Sequence, residues 1–498
     1  MNIKVQPFFA KLVIAIIVTL PASYTSCQAK SALNEIEHII VIYAENRSFD
    51  NLYGLFPGAN GIKQATPEQY IQLDHDGKPF THLPPIWASK EYKTPTIDAK
   101  LPNKPFLLDN PSIGLPASVQ SRDLIHRFYQ NQEQINGGRN NHFAAISDAG
   151  GLTMGYYDGS TLPMWQWAKN YVLADNFFMG AFGGSYLNHQ WLICACTPFD
   201  PSVPETLKVQ LDSKGLLKRK PESPASAMQG PPVFFDATFT RDNYSINSQQ
   251  PPYQPSGLPP ASNGDNRLAD LAKHPLPPQV TKTIGDTLTE KGISWVWYAG
   301  GWNQALADGM QKPDIKRKVI YTNTKGTLNF QPHHQPFNYF ARFAPGKPDR
   351  EQHLQDAEEF FKAIDSGKLP QVSFYKPVGD LNEHPGYTDV LSGDQHIHTV
   401  VERISRSPLW PKVAVIITYD ENGGFWDHVA PPKGDRWGPG SRVPAMIVSP
   451  FAKHGFIDHT AYDTTSIIKF ISRRFGLEPL PGVRENAGDL VNAFDFAE

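Results

Sequence analysis

Apolar residues in this chain gather into short β-branched runs that stop abruptly at oxygen-rich side chains. Ile39-Ile40-Val41-Ile42-Tyr43-Ala44 runs into Glu45-Asn46, and Val413-Ala414-Val415-Ile416-Ile417-Thr418-Tyr419 runs into Asp420-Glu421-Asn422. Runs with so few polar breaks predict strands covered on both faces, as in a parallel sheet packed between helices. Further strands are predicted at Ile293–Tyr298, Gln371–Tyr375 and Ala445–Val448. Helical spacing is read at Asp123–Ile135, His353–Ile364, Gln395–Ile404 and Thr464–Phe475, while Trp165, Trp167 and Tyr171 read as packing residues. Strand and helix alternate, so the expected fold is α/β with a mostly parallel central sheet flanked by helices.

Ligands of such sheets bind outside the carboxyl ends of the strands. Glu45, Asn46, Asp420 and Glu421 therefore share one rim, and hard oxygen donors so arranged point to a divalent metal. Strand-end polar residues also serve as loop caps, which is the reading for either motif alone. Together they favour a ligand site, because each is followed by a polar, aromatic and glycine-containing loop, Arg47 to Gly54 and Gly423 to Val429.

The 498 residues, 40% of them hydrophobic, suffice for one large core. A formal charge of −3 and a pI near 6.6 argue against broad attraction to nucleic acid or to an anionic membrane. Lys4 and Lys11 flank an apolar stretch, Leu12 to Leu20, that is too short to span a bilayer and is followed by Pro21-Ala22-Ser23. This is a secretory signal pattern with cleavage after Ala29. A lipoprotein reading would use Cys27, but Tyr24-Thr25-Ser26 is a poor context for it, and no arginine pair indicates twin-arginine export. Residues 1–29 are thus expected to be a signal peptide and 30–498 a single catalytic domain, periplasmic or secreted, with no stable membrane anchor. Proline-rich stretches at 57–118 and 197–282 read as insertions covering one face. Cys194 and Cys196, separated by Ala195 alone, are expected to be buried free thiols, since such close neighbours rarely reach disulfide geometry without strain.

Residues 180–190 read Gly-Ala-Phe-Gly-Gly-Ser-Tyr-Leu-Asn-His-Gln and lead into an apolar helical run. Ser185 stands where a glycine-rich turn meets a helix, a place where the helix's positive end can hold a phosphate. A serine there is also an ordinary N-cap. A Ser-His-Asp hydrolase fits less well, because the Gly-x-Ser-x-Gly elbow lacks its last glycine at Leu187. A cation-activated serine fits better: a divalent ion lowers the hydroxyl's pKa and orients its oxygen.

The chain resembles the bacterial phosphoesterase family that includes acid phosphatases and non-specific phospholipases C, distantly similar to alkaline phosphatases and sulfatases. The matching segments are Glu45-Asn46-Arg47-Ser48-Phe49-Asp50, Gly184-Ser185 with Asn188, Asn382-Glu383-His384-Pro385, and Asp420-Glu421-Asn422-Gly423-Gly424 with Trp426-Asp427-His428. Arg442-Val443-Pro444 and Gly488 to Phe496 match as well. The resemblance implies an alkaline-phosphatase-like fold and one divalent metal ion, of unknown identity, bound by Glu45, Asn46, Asp420, Glu421 and the hydroxyl of Ser185. Ser185 would attack phosphorus and be transiently phosphorylated. His126, His333, His334 and His384 would surround the phosphate and protonate the leaving oxygen. Imidazolium donors suit mildly acidic conditions, since histidine titrates near about pH 6.5. His428 reads as a buttress of the metal loop, and His142, His396 and His398 as structural.

Within the family the chain looks closer to the acid phosphatases. Phospholipases usually carry threonine and a proline-asparagine-arginine pattern where Ser185-Tyr186-Leu187-Asn188-His189 stands. A broad-specificity acid phosphatase is expected, acting on phosphomonoesters, with phospholipase C acting on phospholipid as the alternative. Phe49, Tyr53, Phe182, Tyr186 and Trp426 would line a lipid approach or else pack as core. A sulfatase lacks its Cys/Ser-x-Pro-x-Arg signature here, and a non-catalytic phosphate-binding or surface protein is the remaining class.

Overall fold

Eight strands form the central sheet of the computed structural model, which describes residues 1, 33–262, 264–322 and 327–496. In chain order they are β1 (His38–Ala44), β2 (Val172–Ala174), β3 (Trp295–Ala299), β4 (Leu354–Asp356), β5 (Val372–Lys376), β6 (Val413–Tyr419), β7 (Ala445–Val448) and β8 (Phe456–Asp458). They lie side by side in the order β8, β2, β7, β6, β1, β5, β3, β4. Every pairing is parallel except those of β7, which runs antiparallel to β2 and β6. The mostly parallel α/β sheet expected from the sequence is the sheet observed. The signal-peptide reading lies outside the described residues.

The helices that matter for the site are α1 (Pro163–Asn170), α2 (Ser185–Cys194), α3 (Ala357–Asp365), α4 (Val390–Ser405) and α5 (Thr464–Phe475). Alternation along the strands assigns their layers. Tyr375 of β5 stacks on Phe360 of α3 and bonds His396 of α4. The opposite face carries Tyr43 and Trp297, which pack against His189 of α2. Both faces of the sheet are therefore covered, and β6 is buried along its whole length.

Several local expectations are corrected. The helix read at Asp123–Ile135 begins only at Phe128. Residues 122–125 are tied down elsewhere: Arg122 donates to the Trp87 carbonyl and the Ile125 N–H donates to Asp148. The helix read at His353–Ile364 is split, because Leu354–Asp356 pairs with β3 as the edge strand before α3 begins. Cys194 and Cys196 form a disulfide rather than free thiols. Ala195 caps α2 in the left-handed conformation, φ 47° and ψ 41°, and this reversal sets the two Cα atoms 5.1 Å apart, within disulfide reach.

The segments 57–118 and 197–282 carry few regular elements and are held by isolated bridges such as Ile86 with Ile97 and Arg219 with Phe234. They also bond to each other, with Asp74 accepting from the Ala227 N–H at 2.9 Å. No described helix is long and apolar enough to cross a membrane.

Candidate functional site

The register of β1 and β6 pairs Ala44 with Tyr419, so the two oxygen-rich motifs leave the sheet side by side. Continuing the alternation, Glu45 and Asp420 follow Tyr43 and Thr418 onto the face covered by α2. Asn46 takes a left-handed backbone, φ 60°, and its N–H donates to Asp420 Oδ1 at 3.2 Å. Gly423 turns back over it with φ 59°, where a Cβ would lie 2.4 Å from the Asn46 carbonyl oxygen; glycine is required by both conformation and space.

Ser185 opens α2, but Gly184 holds the N-cap position, so the capping alternative does not describe Ser185. Its Oγ lies 3.3 Å from Glu45 Oε2, 3.5 Å from Asn46 Oδ1 and 3.4 Å from Glu421 Oε1. Gly183 before it has φ 93°, with a Cβ position 2.6 Å from the Phe128 amide nitrogen, so the turn into α2 lies directly against another backbone. The structure thus brings together Glu45, Asn46, Ser185, Asp420 and Glu421.

Glu45, Asp420 and Glu421 have no solvent exposure. Burial, then the charge of Glu45, pushes the Asp420 carboxyl up to about 8. Burial and the neighbouring Asp420 likewise raise Glu421 well above the usual carboxylate range. Asp420 Oδ2 is buried with no hydrogen-bond partner. Clustered, buried carboxylates call for a compensating cation. The donors here are carboxylate, amide and hydroxyl oxygens, and the orphaned Oδ2 supplies a free one, so the residues fit a divalent ion.

All four expected histidines lie at this cluster. His334 Nε2 is 3.0 Å from Glu45 Oε1, and His126 Nε2 is 3.3 Å from Glu421 Oε1. The His384 ring centroid is 6.0 Å from that of His126, and the His333 centroid 4.5 Å from that of His334. Burial lowers the pKa of every one of them, His333 to about 3 with Lys376 adding to the effect. His384 stacks on Tyr387 at 3.7 Å and is fixed through Nδ1 to the Pro385 carbonyl, leaving Nε2 free of that bond.

Two residues at the site escaped the sequence reading. Lys376, at the end of β5, is buried, ion-pairs with Glu45 and donates to the Tyr43 carbonyl at 3.0 Å. His189, one turn after Ser185 on α2, stacks on His334 at 4.9 Å and bonds the Ser185 carbonyl through Nδ1 at 2.7 Å. A lysine directly after the strand read at Gln371–Tyr375, and a histidine four positions after the serine, were the available signals.

His428 bridges the motif loops, with Nδ1 2.6 Å from Asp50 Oδ2 and Nε2 3.0 Å from Asn60 Oδ1. Arg442 pairs with Asp50 and Asp427 beside it. His396 bonds Tyr375, His398 accepts from Trp167, and His142 contacts Asn136, all away from the carboxylates. Phe49, Tyr53, Tyr186 and Trp426 are core residues and line no approach; Phe182 alone of that group is partly exposed.

The chain matches the Phosphoesterase family over residues 36–478. It belongs to the phosphoesterase family. Relatives include Phospholipase C B of Mycobacterium tuberculosis, 24% identical over 93% of this chain and 78% of the relative. The Non-hemolytic phospholipase C of Burkholderia pseudomallei is 24% identical over 93% of this chain and 60% of its own length. The Non-specific phospholipase C6 of Arabidopsis thaliana is 31% identical over 36% of this chain and 38% of its own. Among solved structures, a protein in the alkaline phosphatase superfamily from Vibrio parahaemolyticus aligns over 76% of this chain and 71% of its own, with TM-score 0.31 and 11% identity. Family membership supports a phosphoric ester hydrolase whose substrates are phosphoesters.

Proposed function

We propose that the protein hydrolyses phosphate esters with one divalent cation held by Glu45, Asn46, Ser185, Asp420 and Glu421, through a transient phosphoserine at Ser185. The observation that carries this is the approach of Ser185 Oγ to within 3.3–3.5 Å of oxygens from Glu45, Asn46 and Glu421. A bound cation would acidify the serine hydroxyl and offset phosphoryl charge. Ser185 Oγ attacks phosphorus, and its proton passes to a carboxylate oxygen already within hydrogen-bond reach. His126, His333, His334 and His384 bind the phosphoryl oxygens, and one of them delivers a proton to the leaving oxygen; water then attacks the phosphoserine in the reverse sense. His384, with Nδ1 held by a carbonyl, presents Nε2 for such a role once the phosphate's negative charge offsets the burial that lowers its pKa and the ring takes up a proton from solvent.

The substrate reading from the residues is a broad-specificity acid phosphatase: four imidazoles around one serine suit the dianionic head of a phosphomonoester. Phospholipase C is the second reading, favoured by relatives of that name aligned over 93% of this chain. The N-terminal signal pattern supports a periplasmic or secreted protein. The test compares wild type and Ser185→Ala on p-nitrophenyl phosphate and on phosphatidylcholine micelles, from acidic to neutral pH, with and without chelator. Serine- and metal-dependent phosphate release from the aryl ester supports the phosphatase, and preferential phosphocholine release supports phospholipase C. Turnover of neither would replace both with a phosphate-binding protein.

A further inference from the structure

Glu45 presents its two carboxylate oxygens to different neighbours. Oε2 faces Ser185 Oγ, whereas Oε1 lies 3.0 Å from His334 Nε2 and makes a direct ion pair with Lys376 Nζ. On the Oε1 side, Glu45, His189 and His334 bring ligand atoms within 4.8 Å of one another. Asp420 Oδ2, which has no hydrogen-bond partner, lies 3.8 Å from His189 Nδ1, and His189 Nε2 is buried without a partner of its own. Two imidazoles and a carboxylate shared with the first site would be a donor set for a second cation. We propose that Lys376 is the resident cation on this side: its ammonium takes Glu45 Oε1, keeps the centre mononuclear and sets the affinity for the divalent ion.

This rests on the metal-dependent reading above. Glu45, Asp420 and Glu421 bring three negative charges when ionised, and among the described residues Lys376 is the one lysine or arginine ion-paired with any of them. The remaining charge of −2 is what one divalent cation balances. Lys376 is also held firmly. It is 1% exposed, donates to the Tyr43 carbonyl at 3.0 Å and lies 5.4 Å from the centre of the Tyr43 ring. A buried ammonium is costly unless paired. Methionine supplies the apolar stem at this position and gives up only the ammonium's contacts to Glu45 and the Tyr43 carbonyl, so the charge is explained by Glu45 and not by the packing.

A brace and a counter-cation predict opposite signs. If Lys376 only positions Glu45, removing it weakens metal binding. If it competes electrostatically with the metal, removing it strengthens binding. The experiment titrates full-length wild type, Lys376→Met and Lys376→Arg with Zn²⁺ against a chromophoric chelator and counts bound metal by mass spectrometry. Wild type is expected to bind one equivalent, Lys376→Met to bind it about tenfold tighter or take a second equivalent, and Lys376→Arg to stay within about threefold of wild type. Weaker binding by a folded Lys376→Met protein overturns the proposal and leaves the catalytic reading intact. Should that variant not fold, wild type alone decides: a second equivalent that shifts the His189 and His334 ring resonances overturns the inference, and one equivalent that leaves them unshifted supports it. A wild type that binds no divalent ion refutes the catalytic reading and this inference together.

Discussion

Beneath His384 lies a buried carboxyl pair whose protonation should make the protein more stable in acid. Glu383 accepts from the Tyr419 hydroxyl at 3.0 Å, and Asp394 on α4 accepts one bond, from the Met164 N–H at 3.0 Å, while its Oδ2 has no partner. Burial raises both; it carries Asp394 to about 7, and the charge of Asp394 adds to the rise at Glu383. The folded protein therefore keeps a proton that the unfolded chain releases near about pH 4. Stability is fully present below that pH, falls as pH rises toward about 7, and is level above it. The gap from 3.8 to about 7 corresponds to about 4 kcal/mol at about 1.36 kcal/mol per pH unit. Asp394→Asn removes this pH dependence while keeping the Oδ1 acceptor. It places an amide N–H₂ where Oδ2 has no partner, at a cost of about 1–3 kcal/mol. The variant should therefore be less stable than wild type by about 1–3 kcal/mol near pH ~3.5 and more stable by a similar amount at pH ~8. Urea unfolding followed by tryptophan fluorescence at both pH values measures the crossing. A difference between the two proteins that stays constant with pH, within about 0.5 kcal/mol, refutes the reasoning.

Three further outcomes are expected. Asp420→Asn should lower metal occupancy and turnover together, read by elemental analysis beside an assay; full activity at unchanged metal content would remove Asp420 from the ligand set. Arg442→Met should cost about 3–5 kcal/mol in urea unfolding, because it strands Asp50 and Asp427 in the interior, and a loss below about 1 kcal/mol would show that their protonation suffices. Gly423→Ala forces a Cβ onto the Asn46 carbonyl at φ 59° and should cost about 1–3 kcal/mol with about tenfold weaker metal binding; a variant with unaltered affinity would mean the loop moves freely of Asn46.

What the sequence made legible was whatever a run of one periodicity could carry. β1, β6 and β7 are long or uniformly apolar, and their bounds were read almost to the residue. β2 and β8 have three residues each and exist through the pairing of β8 with β2 and of β2 with β7, so no local pattern announces them. The segment before Phe128 has helical spacing, yet contacts to Trp87 and Asp148 override it and carry His126 to the carboxylates. The disulfide was missed because helix ends can reverse the chain at a non-glycine residue, here Ala195. The oxygen-rich motifs of the candidate site were legible because they cluster at two strand ends. Lys376 was not, because it reaches the site alone from a strand whose other residues serve packing, and His189 was not, because only its helical spacing from Ser185 on α2 marks it.

The dependence of the site on strand register couples the candidate ligands to the core. Pairing of Tyr43 with Thr418 puts both on the α2 face, and the next residue on that face is Glu45 from one strand and Asp420 from the other. A slip of one residue would direct one of these carboxylates toward the α3 and α4 side and away from Ser185. Such a slip would also turn the wholly buried β6 against mismatched neighbours on both faces. The sheet thus selects a single arrangement in which three carboxylates approach each other against their own repulsion. Raised pKa values at Asp420 and Glu421 and the Lys376 ammonium on Glu45 relieve that repulsion, and a bound divalent ion would add to the stability of the same register in proportion to the logarithm of metal concentration over its Kd. Chelation should accordingly lower the unfolding midpoint of wild type more than that of Asp420→Asn, since the variant has less of this coupling to lose.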